Sequence, residues 1–214
     1  MIVTLAGQKG GAGKTTLAIG MAVEWMRRGK KVLLVDADPQ ATALTWAGLA
    51  AELEQQAPSV VAMGDNLRKT LPSLAKDYDL IVVDTPGRQT KRVVGAIMLA
   101  DLVVLPAQPS PADVWALAGT LDVIEEAREI RPSIHAVLVV NGRTRTAIGA
   151  GARSALEETG YPVLKTEIGR RTAFAESLAT GQGVTAYQSG SLAALEIRKL
   201  VDELEERLGE NDGA

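Results

Sequence analysis

The sequence predicts an α/β domain built on a mostly parallel, doubly wound sheet. Three observations point there. Apolar, β-branched runs recur along the chain, segments of helical periodicity separate them, and the first run feeds a glycine-rich turn that opens a helix. Strands covered on both faces read as continuous apolar runs rather than alternating ones, and these runs are continuous.

The elements follow in order. IVTLA at 2–6 is the first strand, and QKGGAGKTT at 8–16 is the turn after it. Residues 14–28 put Leu17, Met21, Ala22 and Trp25 on one helical stripe, and Gly29 supplies the stop signal. Further strands are expected at 31–36, 59–62, 79–84, 101–106, 134–140 and 162–168. A helix after residue 110 opens SPAD, with Ser110 as N-cap, Pro111 in the first turn and Asp113 past the cap. The last helix, 191–208, is expected to bury Leu192, Leu195, Leu200, Val201, Leu204 and Leu208. No repeat or linker interrupts the pattern, so the expectation is one domain over 1–208 and a frayed, disordered tail over 209–214, GENDGA.

Composition narrows the chemistry. With 46% hydrophobic and 23% charged residues, the 214-residue chain reads as a soluble globular domain with an aliphatic core, aromatics being only 3%. The absence of cysteine excludes disulfides, thiol catalysis and cysteine-held iron–sulfur or zinc sites. The N-terminus lacks a signal-peptide pattern and no run reaches the ~18 apolar residues of a membrane span, so a cytoplasmic location is expected. A net charge of -3 argues against wholesale coating of nucleic acid but leaves room for a local basic patch.

A strand, a glycine-rich turn and a helix in that order make a phosphate cradle. Gly10, Gly11 and Gly13 let backbone N–H groups approach phosphate oxygens, while the helix beginning near Lys14 points its positive end at them. Lys14 would neutralise β- and γ-phosphates, and the Thr15 hydroxyl would ligate Mg²⁺. The generic GxxxxGK[ST] spacing would need glycine at position 8, where the chain has Gln8. Two strand ends, VDADPQ (35–40) and VVDTPG (82–87), bring Asp36, Asp38 and Asp84 to the side of the sheet where ligands sit.

KGGAGKT, with Lys9 as well as Lys14, resembles the deviant Walker A motif of the ParA/MinD ATPases, and the resemblance runs over about residues 1–207. It implies a P-loop NTPase fold and an enzyme that slowly hydrolyses ATP to ADP and phosphate with Mg²⁺. Nucleotide contacts would come from Lys9, Gly10, Gly11, Ala12, Gly13, Lys14, Thr15 and Thr16. In such proteins Lys9 would reach across an ATP-sandwich homodimer to the partner's triphosphate, acting as an arginine finger does. The same resemblance makes Asp84 the Walker B acid, holding Mg²⁺ through water, and Asp38 the switch I residue that orients the attacking water. Asp36 would assist near the metal, Thr85, Pro86 and Gly87 would form a second switch turn, and Asn141 would read the adenine, with Ile168 and Gly169 closing over it.

SPAD and NGRTRTAIG (141–149) look like the small ParF-type partition proteins. That branch implies nonspecific DNA binding, with Arg170 and Arg171 the leading candidates and Arg143 and Arg145 beside them. It also implies a ParB/ParG-like or cargo-linked adaptor that stimulates turnover, and nucleoid association in the ATP state. The cargo would be a plasmid, a chromosome or a large cellular body. A MinD-like membrane-recruited factor is one alternative, disfavoured by the acidic C-terminal segment, and no membrane partner is expected. A carboxylate-activating enzyme of the dethiobiotin-synthetase type is the other, and no substrate anchors specify it. His135, the only histidine, is expected in the core or at a strand edge. Trp25 and Trp115 are expected to pack on helix faces, and Trp46 is a candidate for the dimer seam.

Overall fold

A computed structural model of the chain describes residues 1–88, 90–108, 110–144 and 153–211. Among these, seven strands form one sheet in the order β3-β2-β4-β1-β5-β6-β7, every pair parallel. The central strands β1 (Ile2–Leu5), β2 (Val32–Asp36), β4 (Leu80–Asp84) and β5 (Leu102–Ala107) are buried at every residue. This is why they read as unbroken apolar runs. β3 (Ser59–Ala62) lies at one edge and is partly exposed. β6 is His135–Arg143 and β7 only Ile168–Gly169. The expected strand over 162–168 is therefore not formed as such: Val163 makes an isolated bridge to Leu138, and pairing resumes only at Ile168. Pro162, which has no N–H to give, accepts from the Leu138 N–H instead.

Side chains alternate across the sheet. On β4, Leu80 and Val82 join one face while Ile81 and Val83 join the other. The first face is covered by α1 (Lys14–Arg27) and α8 (Leu192–Asn211), with α6 (Thr172–Ala179) and α7 (Val184–Tyr187) between them. The second is covered by α3 (Leu67–Leu74), α4 (Lys91–Leu99) and α5 (Pro111–Ile130). α2 (Thr42–Glu52) follows β2. α1 is buried nearly all round because it is wedged between the sheet and α8, where Ile197 meets Gly20.

Several helix expectations need correction. α8 buries Ala193, Ala194, Ile197, Leu200, Val201, Leu204 and Leu208, but Leu192 and Leu195 are exposed. They sit on the solvent side of the 3.6-residue period once Ile197 faces α1. α8 also continues to Asn211, past the expected end at 208; residues 212–214 of the expected tail lie outside the described part. Trp25 packs in the core as expected, its indole donating to Glu205. Trp46 is 4% exposed and belongs to the same core, so it does not face a seam. Trp115, expected to pack, is 75% exposed. His135 is exposed at the start of β6.

Candidate nucleotide-binding site

The crossover connections change direction at β1. β1 leads toward β2 on one side, whereas β4 connects past it to β5 on the other. Such a switch point opens a crevice at the carboxyl ends of the strands, and the glycine loop after β1 lies there. Gly11 and Gly13 hold φ of 77° and 86°, in the left-handed region that other residues resist, and Gly13 is the N-cap of α1. The loop is braced from three directions. Gln108 donates to the Gly11 carbonyl at 2.8 Å, and Asn141 donates to the Ala12 carbonyl at 2.6 Å. Gly87 sits so close that a Cβ there would lie 2.9 Å from the Gly10 nitrogen.

Inside the loop lie two opposed charges taken from water. Lys14 is only 6% exposed, and its amine donates to the Lys9 carbonyl at 3.1 Å. Burial lowers its pKa, against the pull of Asp84 and Asp38. Asp84 is fully buried; its Oδ2 accepts from the Thr15 hydroxyl at 2.6 Å, while its Oδ1 has no partner among the described residues. Burial pushes the Asp84 carboxyl up to about 7; the Asp36 charge adds to this, while the Thr15 hydroxyl and Lys14 oppose it. A hydroxyl bound to a carboxylate with one oxygen unsatisfied fits a hydrated Mg²⁺ held by few protein groups.

The other candidates are placed as follows. Asp36, paired in register with Asp84 across β2 and β4, spends both oxygens on backbone N–H groups, of Asp38 at 3.1 Å and of Leu44 at 3.0 Å. It shapes the loop that carries Asp38, and each of its oxygens keeps a further lone pair. Asp38 is half-buried and accepts from the Gln40 N–H at 2.9 Å. Thr85, the first residue of the expected second switch turn, has a buried hydroxyl that donates to the Leu5 carbonyl at 2.7 Å and ties β4 to β1. Thr16 and Asn141 line a cavity of ≈ 140 Å³ beside the loop with Leu17, Ile168, Gly169 and Phe174. The Asn141 Nδ2 is engaged on the loop. Phe174, the chain's only phenylalanine, was missed by sequence reasoning; its rarity in a 3%-aromatic chain was the available signal.

Lys9 lies at the rim. Its side chain is 43% exposed and its amine meets Asp113 Oδ2 at 2.5 Å. Asp113 was read only as a cap residue, and it does receive the capping pattern: its N–H donates to the Ser110 hydroxyl at 3.2 Å. Of the basic candidates, Arg143 pairs with Glu167 at 3.1 Å. Arg171 is held by Glu196, its Nε at 2.9 Å. Arg170 is exposed and makes no ion pair among the described residues, while Arg145 lies outside them.

Comparison with known proteins agrees with this geometry. Residues 3–184 match the CobQ/CobB/MinD/ParA nucleotide binding domain. The chain is 32% identical over 208 residues to Maintenance of carboxysome distribution protein A of Halothiobacillus neapolitanus, covering 94% of this chain and 95% of the relative. It is 30% identical to the chromosome-partitioning ATPase Soj of Thermus thermophilus, covering 97% and 96%. The septum site-determining protein MinD of Pyrococcus horikoshii, solved with Mg-ADP, superposes with a TM-score of 0.78 at 22% identity, covering 98% of each chain. The glycine loop, the parallel sheet and these matches together make the chain a member of the CobQ/CobB/MinD/ParA nucleotide-binding family, whose ParA and MinD members are ATPases.

Proposed function

We propose that this protein is an ATP-dependent dimerising switch that binds DNA without sequence preference and, with an adaptor, positions a plasmid, chromosome or large cellular cargo. What supports this reading is the division of labour between two lysines: Lys14 is buried in its own loop, whereas Lys9 stands at the rim.

In this reading the loop N–H groups from Gly10 to Thr16 and the Lys14 amine bind the triphosphate, and Thr15 and Asp84 hold the metal site. Mg²⁺, when bound, supplies charge neutralisation at the phosphate oxygens. Asp38 orients the attacking water, with Asp36 fixing the backbone that carries it. Phe174 and Asn141 take the base. Lys9 enters the partner's pocket, so each chain completes the other. Charge developing on phosphoryl oxygens is then met by a cation available only in the dimer, and turnover stays slow until an adaptor holds that geometry. Arg170 contributes to a phosphate-directed DNA surface that the dimer doubles. Nucleoid association in the ATP state follows from this surface. Among the described residues no helix is long and apolar enough to cross a membrane.

The test is Lys9→Ala, assayed by light scattering and phosphate release. Nucleotide binding should survive, while ATP-dependent dimerisation or turnover is lost. An intact ATP dimer with normal turnover would reject the reading.

A further inference from the structure

We infer that Asp113 is a positioning residue that restrains Lys9 in the resting chain, and that Lys14 is the second restraint, released when its own site fills. The inference rests on the proposed role of Lys9 and concerns how that role is regulated.

Asp113 is 3% exposed, and its Oδ2 receives both the Lys9 amine and the Ser110 hydroxyl. It stands in the first turn of α5, where the helix dipole favours a negative charge. The carboxylate is also held by Ser110, whose hydroxyl donates to it and accepts from the Asp113 N–H, so its place does not depend on Lys9. It is a built-in anion that competes with any phosphate offered by a partner. The packing behind it is close, since a Cβ on Gly119 of α5 would run into the Gln8 amide. The loop is thus pinned to α5 at adjacent residues, Gln8 by contact and Lys9 by charge.

The second tie is the Lys14 amine on the Lys9 carbonyl. Lys14 has three protons to give, and one of them holds the backbone of Lys9. An anion in the loop offers Lys14 a stronger, charge-assisted acceptor than a neutral carbonyl. Filling the chain's own site therefore loosens Lys9 at its backbone while Asp113 still holds its side chain. A chain with an empty site has both restraints, and a loaded chain has one. Lys9 then leaves only for a stronger anion, which a second loaded copy presents. Empty chains are kept from pairing by the same residue that later joins them.

The experiment measures ATP-driven dimerisation by sedimentation against protein concentration, in Asp113→Asn, Lys9→Met and the double variant. Asparagine keeps the shape and the contact to Ser110 but removes the charge. Asp113→Asn should lower the half-dimerisation concentration about fivefold to tenfold, the worth of two partly exposed ion pairs, one from each chain. In the Lys9→Met background Asp113→Asn should restore no dimer. In the unliganded chain, urea midpoints of the two single variants should be non-additive. If Lys9→Met abolishes dimerisation but Asp113→Asn leaves the midpoint unchanged, or urea effects simply add, the restraint is wrong and the proposed function stands. If Lys9→Met dimerises normally, the functional reading itself falls. Should Asp113→Asn fail to fold, amine acylation of the wild-type chain, followed by mass spectrometry, decides. Lys9 should label several-fold more slowly than exposed Lys30 without nucleotide, and equal rates would overturn the restraint.

Discussion

The crevice around Lys14 and Asp84 and the basic face around Arg143 and Arg171 both carry charge, but on different terms. In the crevice an amine and a carboxylate are withdrawn from water, and one carboxylate oxygen has no partner among the described residues. On the basic face Arg143, Arg153 and Arg171 each have a glutamate beside them. Desolvating a charge without satisfying it costs several kcal/mol and persists only where something compensates. Exposed pairs are worth about 0–1 kcal/mol and arise on ordinary surfaces. The crevice therefore calls for a ligand, whereas the arginine cluster does not demand one. Charge count alone would have ranked the two regions the other way.

Asp84 gives the largest test of this contrast. Its folded carboxyl titrates near 7 against an ordinary 3.8, so between these values the folded chain holds a proton that the unfolded one has lost. Its contribution to stability is thus fullest below 3.8 and declines as pH rises to about 7. Metal needs the ionised form. In calorimetric titrations Mg²⁺-dependent nucleotide affinity should fall about tenfold per pH unit below 7. Asp84→Asn should remove most of that Mg²⁺ dependence, about a hundredfold in affinity. The same variant should melt higher than wild type at pH 8 without ligand, by a few degrees. A lower melting point would mean that Asp84 is a structural group and that the contrast is false.

How much of this was legible beforehand follows from the same physics. The loop, β1, β2, β4 and β5 were readable because each is local: a glycine pattern, or a run buried on both faces. The strand expected at 162–168 failed because Pro162 and a bulged register at Asn141 interrupt pairing, and pairing is set by the neighbouring strand. Leu192 and Leu195 were misplaced because leucines alone do not fix which side of α8 meets α1. The Lys9–Asp113 pair joins residues distant in the chain, so nothing in SPAD announced it. The backbone bonds that Asp36 and Thr85 make were likewise not legible, because the partners of Thr85 and Asp36 are set by packing. Sequence identifies residue types capable of chemistry; only packing shows which of them remain free for it.

Within the basic face, Arg170 and Arg171 separate the two explanations of an arginine. Arg171→Glu would set a glutamate against Glu196, which also accepts from the Gly169 N–H, so its main effect should be on stability. Arg170 has no such duty among the described contacts. Arg170→Glu should weaken ATP-dependent DNA retention several-fold for any sequence and reduce the slope of log affinity against log salt by about 1 to 2. Unfolding midpoints should stay within about 0.5 kcal/mol of wild type. Gel-shift affinity unchanged across salt would remove this face from the DNA surface.

The smallest effect is expected at Ala41, where the crevice differs from the basic face in backbone rather than charge. Ala41 holds φ 51°, left-handed, at the N-cap of α2, and its N–H donates to the Asp38 carbonyl at 2.9 Å. A residue with a Cβ resists this conformation by about 1–2 kcal/mol, and glycine does not. Glycine also gains freedom in the unfolded chain, which takes back about 0.5–1 kcal/mol. Ala41→Gly should therefore raise stability by no more than about 1.5 kcal/mol, measured by urea unfolding. Its sharper consequence concerns the turn that presents Asp38. If strain there favours rearrangement when the site fills, relieving it should slow ATP turnover while leaving ADP affinity unchanged. Equal turnover would mean that the turn is merely tight and that the crevice stores its energy in Lys14 and Asp84 alone.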